Sequence, residues 1–465
     1  KQRIDVVSIF NSFFHSSHQK NIISELKNGK KLPFSDILSV EDIRKHLQTP
    51  QGRDRLFTPE VTLWGFLSQV MDDDQSQQAV VARVIAAKLA KSQRPPSANT
   101  SAYSQSRSKL SETGLKTLAT EVATKLISDT PNSWLWRGKS HVKIVDGTTL
   151  SMPDTFENQQ KYPQPKSQQA GAGFPIMRAV AIIEYSSGVI LDLAMGAYQG
   201  KKTGEHALFR QLMEALKTND VLLGDCYYPS YFLMATLLQL GVSGVFPAHA
   251  SRKYDFRRGK RLGKKDHIVS WVRPSKPDWM TQDEYNAFPK EISIREVSIN
   301  MKRNGCRSKA RVLVTTFLDH KDVTKDDLAD LYGCRWFVEL SLNSIKSIMH
   351  MDILRGKTPC MVHKEIWVHL LAYNLIRRVM AQAALAHDRL PCSLSFKLTL
   401  QSIRIFSQTD LLCKDDPEIL RQLFKIIVHK QVANRTGRKE PRCRKRRTKT
   451  YPPLKKARGL YKNAA

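Results

Sequence analysis

Between residues 141 and 247, apolar positions come in short runs of strand length, broken by Gly, Pro and Ser. The runs predict buried strands at 141–146, 176–185, 188–195, 220–225 and 243–247, with helices near 205–217 and 229–240. IMRAVAIIEYSSGVILDLAMG carries a Ser-Ser-Gly break between two apolar runs, the pattern of a hairpin. Three antiparallel strands, a helix and a returning parallel strand follow from this order. Upstream, residues 1 to about 135 repeat their apolar positions at helical period. Thr58-Pro59-Glu60 gives a cap followed by a first-turn proline. Downstream, 251–310 changes character: it is basic, broken by Gly and Pro, and contains Trp271 and Trp279 before EISIREVSINM alternates like a strand. RVLVTTFL at 311–318 reads as a strand rejoining the sheet. Val362 to Ala386 reads as a long, largely buried helix.

Charge changes the picture. Lys plus Arg number 74 against 43 acidic residues, a formal net charge of +31. Such an excess points to a polyanionic partner, because neutralising phosphates releases condensed counterions. The segment from Arg435 to Lys462 holds 13 basic residues and one acidic, so most of the excess lies in the body of the chain. Seven scattered cysteines with no CxxC pair support neither a zinc ribbon nor a redox motif, and fit a reduced, intracellular protein. No apolar run has the length of a membrane span, and the first residues lack a secretory pattern.

The candidate chemistry lies at strand ends and on one helix. Asp146 follows Val142, Ile144 and Val145; Asp225 follows Val221, Leu222 and Leu223. A carboxylate at such a strand end is aimed at the cleft that ligands use in open α/β sheets. In LYGCRWFVELSLNSIKSIMH, Tyr332, Arg335, Glu339 and Lys346 have the spacing of a single helix face. Asp72-Asp73-Asp74 is a rival acidic cluster, but adjacent helical residues diverge by about 100° and do not converge on one ion.

These residues resemble a known pattern. Asp146, Asp225 and Glu339 look like the DDE triad of a transposase, and the Tyr-Arg-Glu-Lys set resembles the signature of the insertion-sequence-four family. Stretches at 57–76, 94–103 and 351–377 are similar to that family as well. The resemblance implies an α/β fold: an RNase H-like catalytic domain (136–250 and 311–386) interrupted by a β-rich insertion (251–310). A helical DNA-binding domain (1–135) and a C-terminal helical region with a basic tail (387–465) flank it. It implies two Mg²⁺ or Mn²⁺ ions on Asp146, Asp225 and Glu339, and DNA contacts from Tyr332, Arg335 and Lys346. Trp271 or Trp279 would hold a flipped base, the spacing choosing neither. The implied activity is cleavage of element ends and joining of the 3′-OH to target DNA, through a hairpin, by a homodimer on double-stranded DNA at the nucleoid. Two alternatives stay open at this point: an inactive DNA-binding descendant and a structure-selective nuclease. Cys226 stands where some relatives carry an arginine after the second Asp, which leaves the hairpin step less secured than nicking.

Overall fold

The computed structural model describes residues 40–47, 56–89, 92–249, 251–252, 254–300, 310–408, 417–430 and 456. The basic tail expected from 435 to 462 lies outside these residues except for Lys456. The described chain begins with helices α1 (Val40–Leu47), α2 (Pro59–Met71), α3 (Gln77–Leu89), α4 (Ser101–Lys109) and α5 (Glu112–Ser128). The expected start of α2 is present: the Thr58 side chain accepts the Val61 amide, and Pro59 occupies the first turn. Almost all of α2 is buried.

Strand β1 (Val142–Ser151) is followed by α6 (Phe156–Lys161), β2 (Ile176–Glu184) and β3 (Ile190–Ala197). Next come α7 (Glu205–Arg210), β4 (Val221–Leu223), α8 (Tyr231–Gln239) and β5 (Ser243–Pro247). The helix expected over 205–217 is therefore shorter, ending at Arg210 before a 3₁₀ turn at Met213–Ala215. The insertion supplies β6 (Lys260–Gly263), β7 (Asp266–Val272), α9 (Gln282–Asn286) and β8 (Glu291–Asn300), before β9 (Ala310–Thr315). The remaining helices are α10 (Lys325–Gly333), α11 (Trp336–Asn343), α12 (Pro359–Leu385), α13 (Phe396–Gln408) and α14 (Pro417–His429).

All nine strands form one mixed sheet in the order β3-β2-β1-β4-β5-β9-β8-β7-β6. Strands β1, β2 and β3 are antiparallel neighbours, while β4 runs parallel to β1 and β5 parallel to β4. Strand β9 pairs antiparallel with both β5 and β8, so the insertion prolongs the sheet.

Successive strand residues point to opposite faces, and the core divides accordingly. Val142, Ile144 and Leu150 of β1 join one cluster with α1, α2, α5 and α10–α14. Val145 joins the other, with Leu208 and Phe209 of α7, Met234 and Leu237 of α8, and Phe246. The sheet is thus covered on both sides, which is why its central strands read as continuous apolar runs. Helix α12, buried along most of its length, packs against α2, α5, α13 and α14. Among the described residues, no helix is long and apolar enough to cross a membrane.

Candidate active site

The register of β1 with β4 sets the site. Val142 pairs with Val221 and Ile144 with Leu223. The strand expected to end at Asp146 runs on to Ser151, so Asp146 sits mid-β1 with the parity of Ile144, on the sheet face covered by the signature segment. Asp225 lies two residues past β4, close enough for its charge to act on Asp146. Burial pushes the Asp146 carboxyl up to about 6; the nearby Asp225 and Glu205 charges add to the rise, while Arg335 and the Gly147 amide oppose it. Asp225 closes its own turn: its Oδ1 accepts the Tyr227 amide at 2.8 Å, which fixes the carboxylate and leaves its second oxygen outside that bond.

The signature segment is not one uninterrupted α-helix. It is built from α10 and α11, separated by a turn at Cys334–Arg335, and ends in a π-helical turn at Ser344–Ile348. Such a turn widens the spiral and re-aims the residues after it, so the ideal 100° arc fails. Tyr332 is buried at 3% exposure, and burial raises its phenol pKa. Arg335 lies between two carboxylates, with Nη1 3.8 Å from Asp146 Oδ2 and Nη2 donating to Glu339 Oε1 at 3.3 Å. Glu339 is half exposed. Lys346 donates to Thr148 Oγ1 at 2.8 Å and to the Thr149 carbonyl at 2.9 Å, which anchors the π turn on β1 just past Asp146.

Asp146, Asp225, Arg335 and Glu339 are therefore neighbours, with Arg335 as the link to Glu339. Among the described residues, no three His, Cys, Asp or Glu side chains converge tightly enough to hold a metal as they stand. The donor chemistry nevertheless suits a hard divalent cation: carboxylate oxygens, a half-buried Asp146 resisting ionisation, and a second Asp at its side.

The two tryptophans part company. Trp271 is 5% exposed; its indole N–H donates to Glu296 at 3.2 Å, and the Arg252 guanidinium covers its ring at 3.5 Å. Trp279 is 41% exposed, flanked by Arg210 at 3.8 Å and by the edge-on ring of Phe232. The Asp72–Asp74 triplet is dispersed: Asp72 pairs with Arg83, Asp73 with Arg404 at 2.8 Å, and Asp74 accepts from Ser76. Arg355 and Lys357 are exposed on a loop whose backbone is held by Glu365, Asn158 and Thr155.

Three neighbours were not legible in the sequence. Glu205, at the start of α7, lies over Gly147; a Cβ there would stand 2.7 Å from its carboxyl carbon, so the glycine makes room for the acid. Thr148 and Thr149 receive Lys346. The Gly-Thr-Thr run after Asp146 was the available signal, but strand propensity accounts for its threonines equally well.

Residues 137–375, just over half of the chain, match the family described as Transposase DDE domain. The chain belongs to the DDE transposases. It is 27% identical over 362 residues to the InsG transposase of insertion sequence element IS4 from Escherichia coli strain K12, covering 77% of this chain and 78% of that protein. A shorter stretch of 65 residues is 38% identical to the transposase of insertion sequence element IS421 from Escherichia coli, covering 14% and 18%. Together these likenesses set it in the insertion-sequence-four family as a DNA-cutting and strand-transferring enzyme. A solved piggyBac transposase synaptic complex with hairpin DNA aligns over 91% of this chain and 85% of that one, at 11% identity and a TM-score of 0.42, too low to bear on the fold. DNA is the transposase's substrate, and divalent metal dependence is general for its family.

Proposed function

We propose that this transposase frees the ends of an insertion sequence and joins the 3′-OH to target DNA at an RNase H-like site formed by Asp146, Asp225 and Glu339. The observation carrying this reading is the β1–β4 register, which brings Asp146, in the middle of β1, near Asp225, just past the end of β4, with Glu339 one guanidinium away. Mg²⁺ or Mn²⁺, as a pair of ions on these carboxylates, would polarise the phosphorus centre and activate first water and then the DNA 3′-OH.

The chain's own residues do the remaining work. Asp146 would give up its proton to hold the ions, and Asp225 is held outward by its own turn. Arg335 presents a planar fork that suits a phosphate bidentately. When the scissile phosphate draws that fork away, Glu339 is released towards the aspartates. Tyr332 supports Arg335 from below, and Lys346, seated on β1, offers a compact charge to the adjoining phosphate. The hairpin route would use an aromatic of the insertion to hold a flipped base, and Trp279 is the one with an open edge. Residues 1–135 recognise the element ends, and two copies synapse them.

The test is cleavage of DNA carrying a flanked element end, in Mn²⁺ or Mg²⁺, by wild type and Glu339→Gln. Metal-dependent nicking followed by hairpin or joined product, all lost in the variant, is expected. Nicking without joining would favour a nuclease. Binding without cleavage, under conditions where a related transposase cuts its own ends, would favour a DNA-binding descendant.

A further inference from the structure

Helix α7 touches both catalytic strands at its first turn. Glu205 lies over Gly147, directly after Asp146. His206, the next residue, reaches the turn after β4: its Nε2 lies 2.6 Å from the Tyr227 carbonyl oxygen. A carbonyl only accepts, so Nε2 carries the hydrogen and donates it. The imidazole also packs beside the Tyr228 ring, at 5.7 Å.

Both backbone polar groups of Tyr227 are thereby committed. Its N–H is bound by the Asp225 carboxylate and its C=O by His206. The Tyr228 amide adds a bond back to the Asp225 carbonyl at 3.3 Å. The turn that aims Asp225 is otherwise a short solvent-facing segment, with Tyr227 66% exposed. Its only side-chain clamp from another element, among the described hydrogen bonds, is His206.

We propose that His206 is a positioning residue of the carboxylate site, fixing Asp225 through the Tyr227 peptide. The assignment rests on the reading of Asp225 as a metal ligand. His206 touches neither DNA nor ion; it sets the direction of a ligand, the kind of outer contact whose loss typically weakens metal binding about 10–100-fold.

The experiment compares full-length wild type, His206→Ala, His206→Gln, His206→Asn and Asp225→Asn by Mn²⁺ titration followed by electron paramagnetic resonance, with end-cleavage and thermal melting alongside. In His206→Ala, the Mn²⁺ dissociation constant should rise about tenfold or more. The Mn²⁺ concentration for half-maximal cleavage should rise by the same factor, with kcat at saturating Mn²⁺ nearly kept. His206→Gln, whose Nε2–H reaches the same carbonyl, should recover most of the affinity, and His206→Asn, one carbon shorter, should not. Wild-type Mn²⁺ affinity in His206→Ala, or equal affinities in the Gln and Asn variants, overturns the proposal. The Gln–Asn pair decides the matter even where the Ala variant melts early. Asp225→Asn separates the two layers. If it binds Mn²⁺ and cleaves like wild type, the ligand reading of Asp225 falls; if it loses both while His206→Ala loses neither, only the His206 assignment falls.

Discussion

Two places on the nine-stranded sheet treat charge in opposite ways. In the insertion half, Arg295 is completely buried, yet its fork meets both oxygens of Asp266 at 2.8 Å and its third nitrogen meets the Val323 carbonyl at 2.6 Å. Glu296 there is enclosed by His267 and Trp271. At the other place, Asp146 and Asp225 lie near each other, and the one cation between them and Glu339, among the described ion pairs, is Arg335, 3.8 Å from Asp146. The same residue types are fully paired in one place and left in want of positive charge in the other. Paired charge there holds a shape; carboxylates sharing one guanidinium here are the arrangement a cation would complete.

The sharpest way to break this contrast is to neutralise one member at each place. Asp146→Asn should cost about a thousandfold in cleavage, the several kcal/mol a metal-held transition state supplies, without lowering the melting temperature. Removing a desolvated, repelled carboxylate relieves the folded state, so a sharp fall in thermal stability would sink the functional reading of Asp146. Arg295→Ala should do the reverse: about 3–5 kcal/mol of stability lost in urea unfolding, because Asp266 is left buried and unpaired. Cleavage by the fraction still folded should be little changed.

The tryptophans sharpen the same contrast at a smaller scale. Trp271→Ala should destabilise the fold by about 3–5 kcal/mol. Trp279→Ala should leave melting nearly unchanged and weaken the hairpin step by about 1–3 kcal/mol, read as hairpin against nick on a labelled end. Matching effects of the two substitutions would show that exposure does not separate their roles.

Smallest is the pH response. With Asp146 raised from 3.8 to about 6, the folded state holds more protons than the unfolded chain between those values. Its contribution to stability is therefore full below pH 3.8 and lost as pH rises through 6. Metal has to displace that proton, so Mn²⁺ affinity should fall about tenfold per pH unit below 6 and level off above it. A flat profile from pH 5 to 7 would contradict this.

Much of the sheet was legible because its central strands are buried on both faces, so Val221–Leu223 appears as a plain apolar run and Val142–Val145 as one interrupted only by Lys143, which is buried against Asp220. The two aspartates were legible for the same reason, as the first charges after those runs. The signature segment was legible only as spacing: its break at Cys334–Arg335 and its π turn depend on what lies beneath, including Thr148 and Thr149, nearly two hundred residues earlier in sequence. The insertion's place in the sheet was hidden too, since strand alternation shows which face a residue takes but not which neighbour it pairs with. Trp271 and Trp279 looked equivalent until packing buried one. Glu205 was invisible because a glutamate opening a helix is ordinary.

Because β9 is bonded to β5 on one side and β8 on the other, the transposase carries Asp146, Asp225 and its insertion on a single ruler. Strand β7 lies four places from β4, which at roughly 4.8 Å per strand is about 19 Å. Duplex DNA rises roughly 3.4 Å per base pair, so that span is about half a helical turn. Any DNA contact made by the insertion would therefore stand at a set offset from Asp146 and Asp225, an offset decided by how many strands were laid between them.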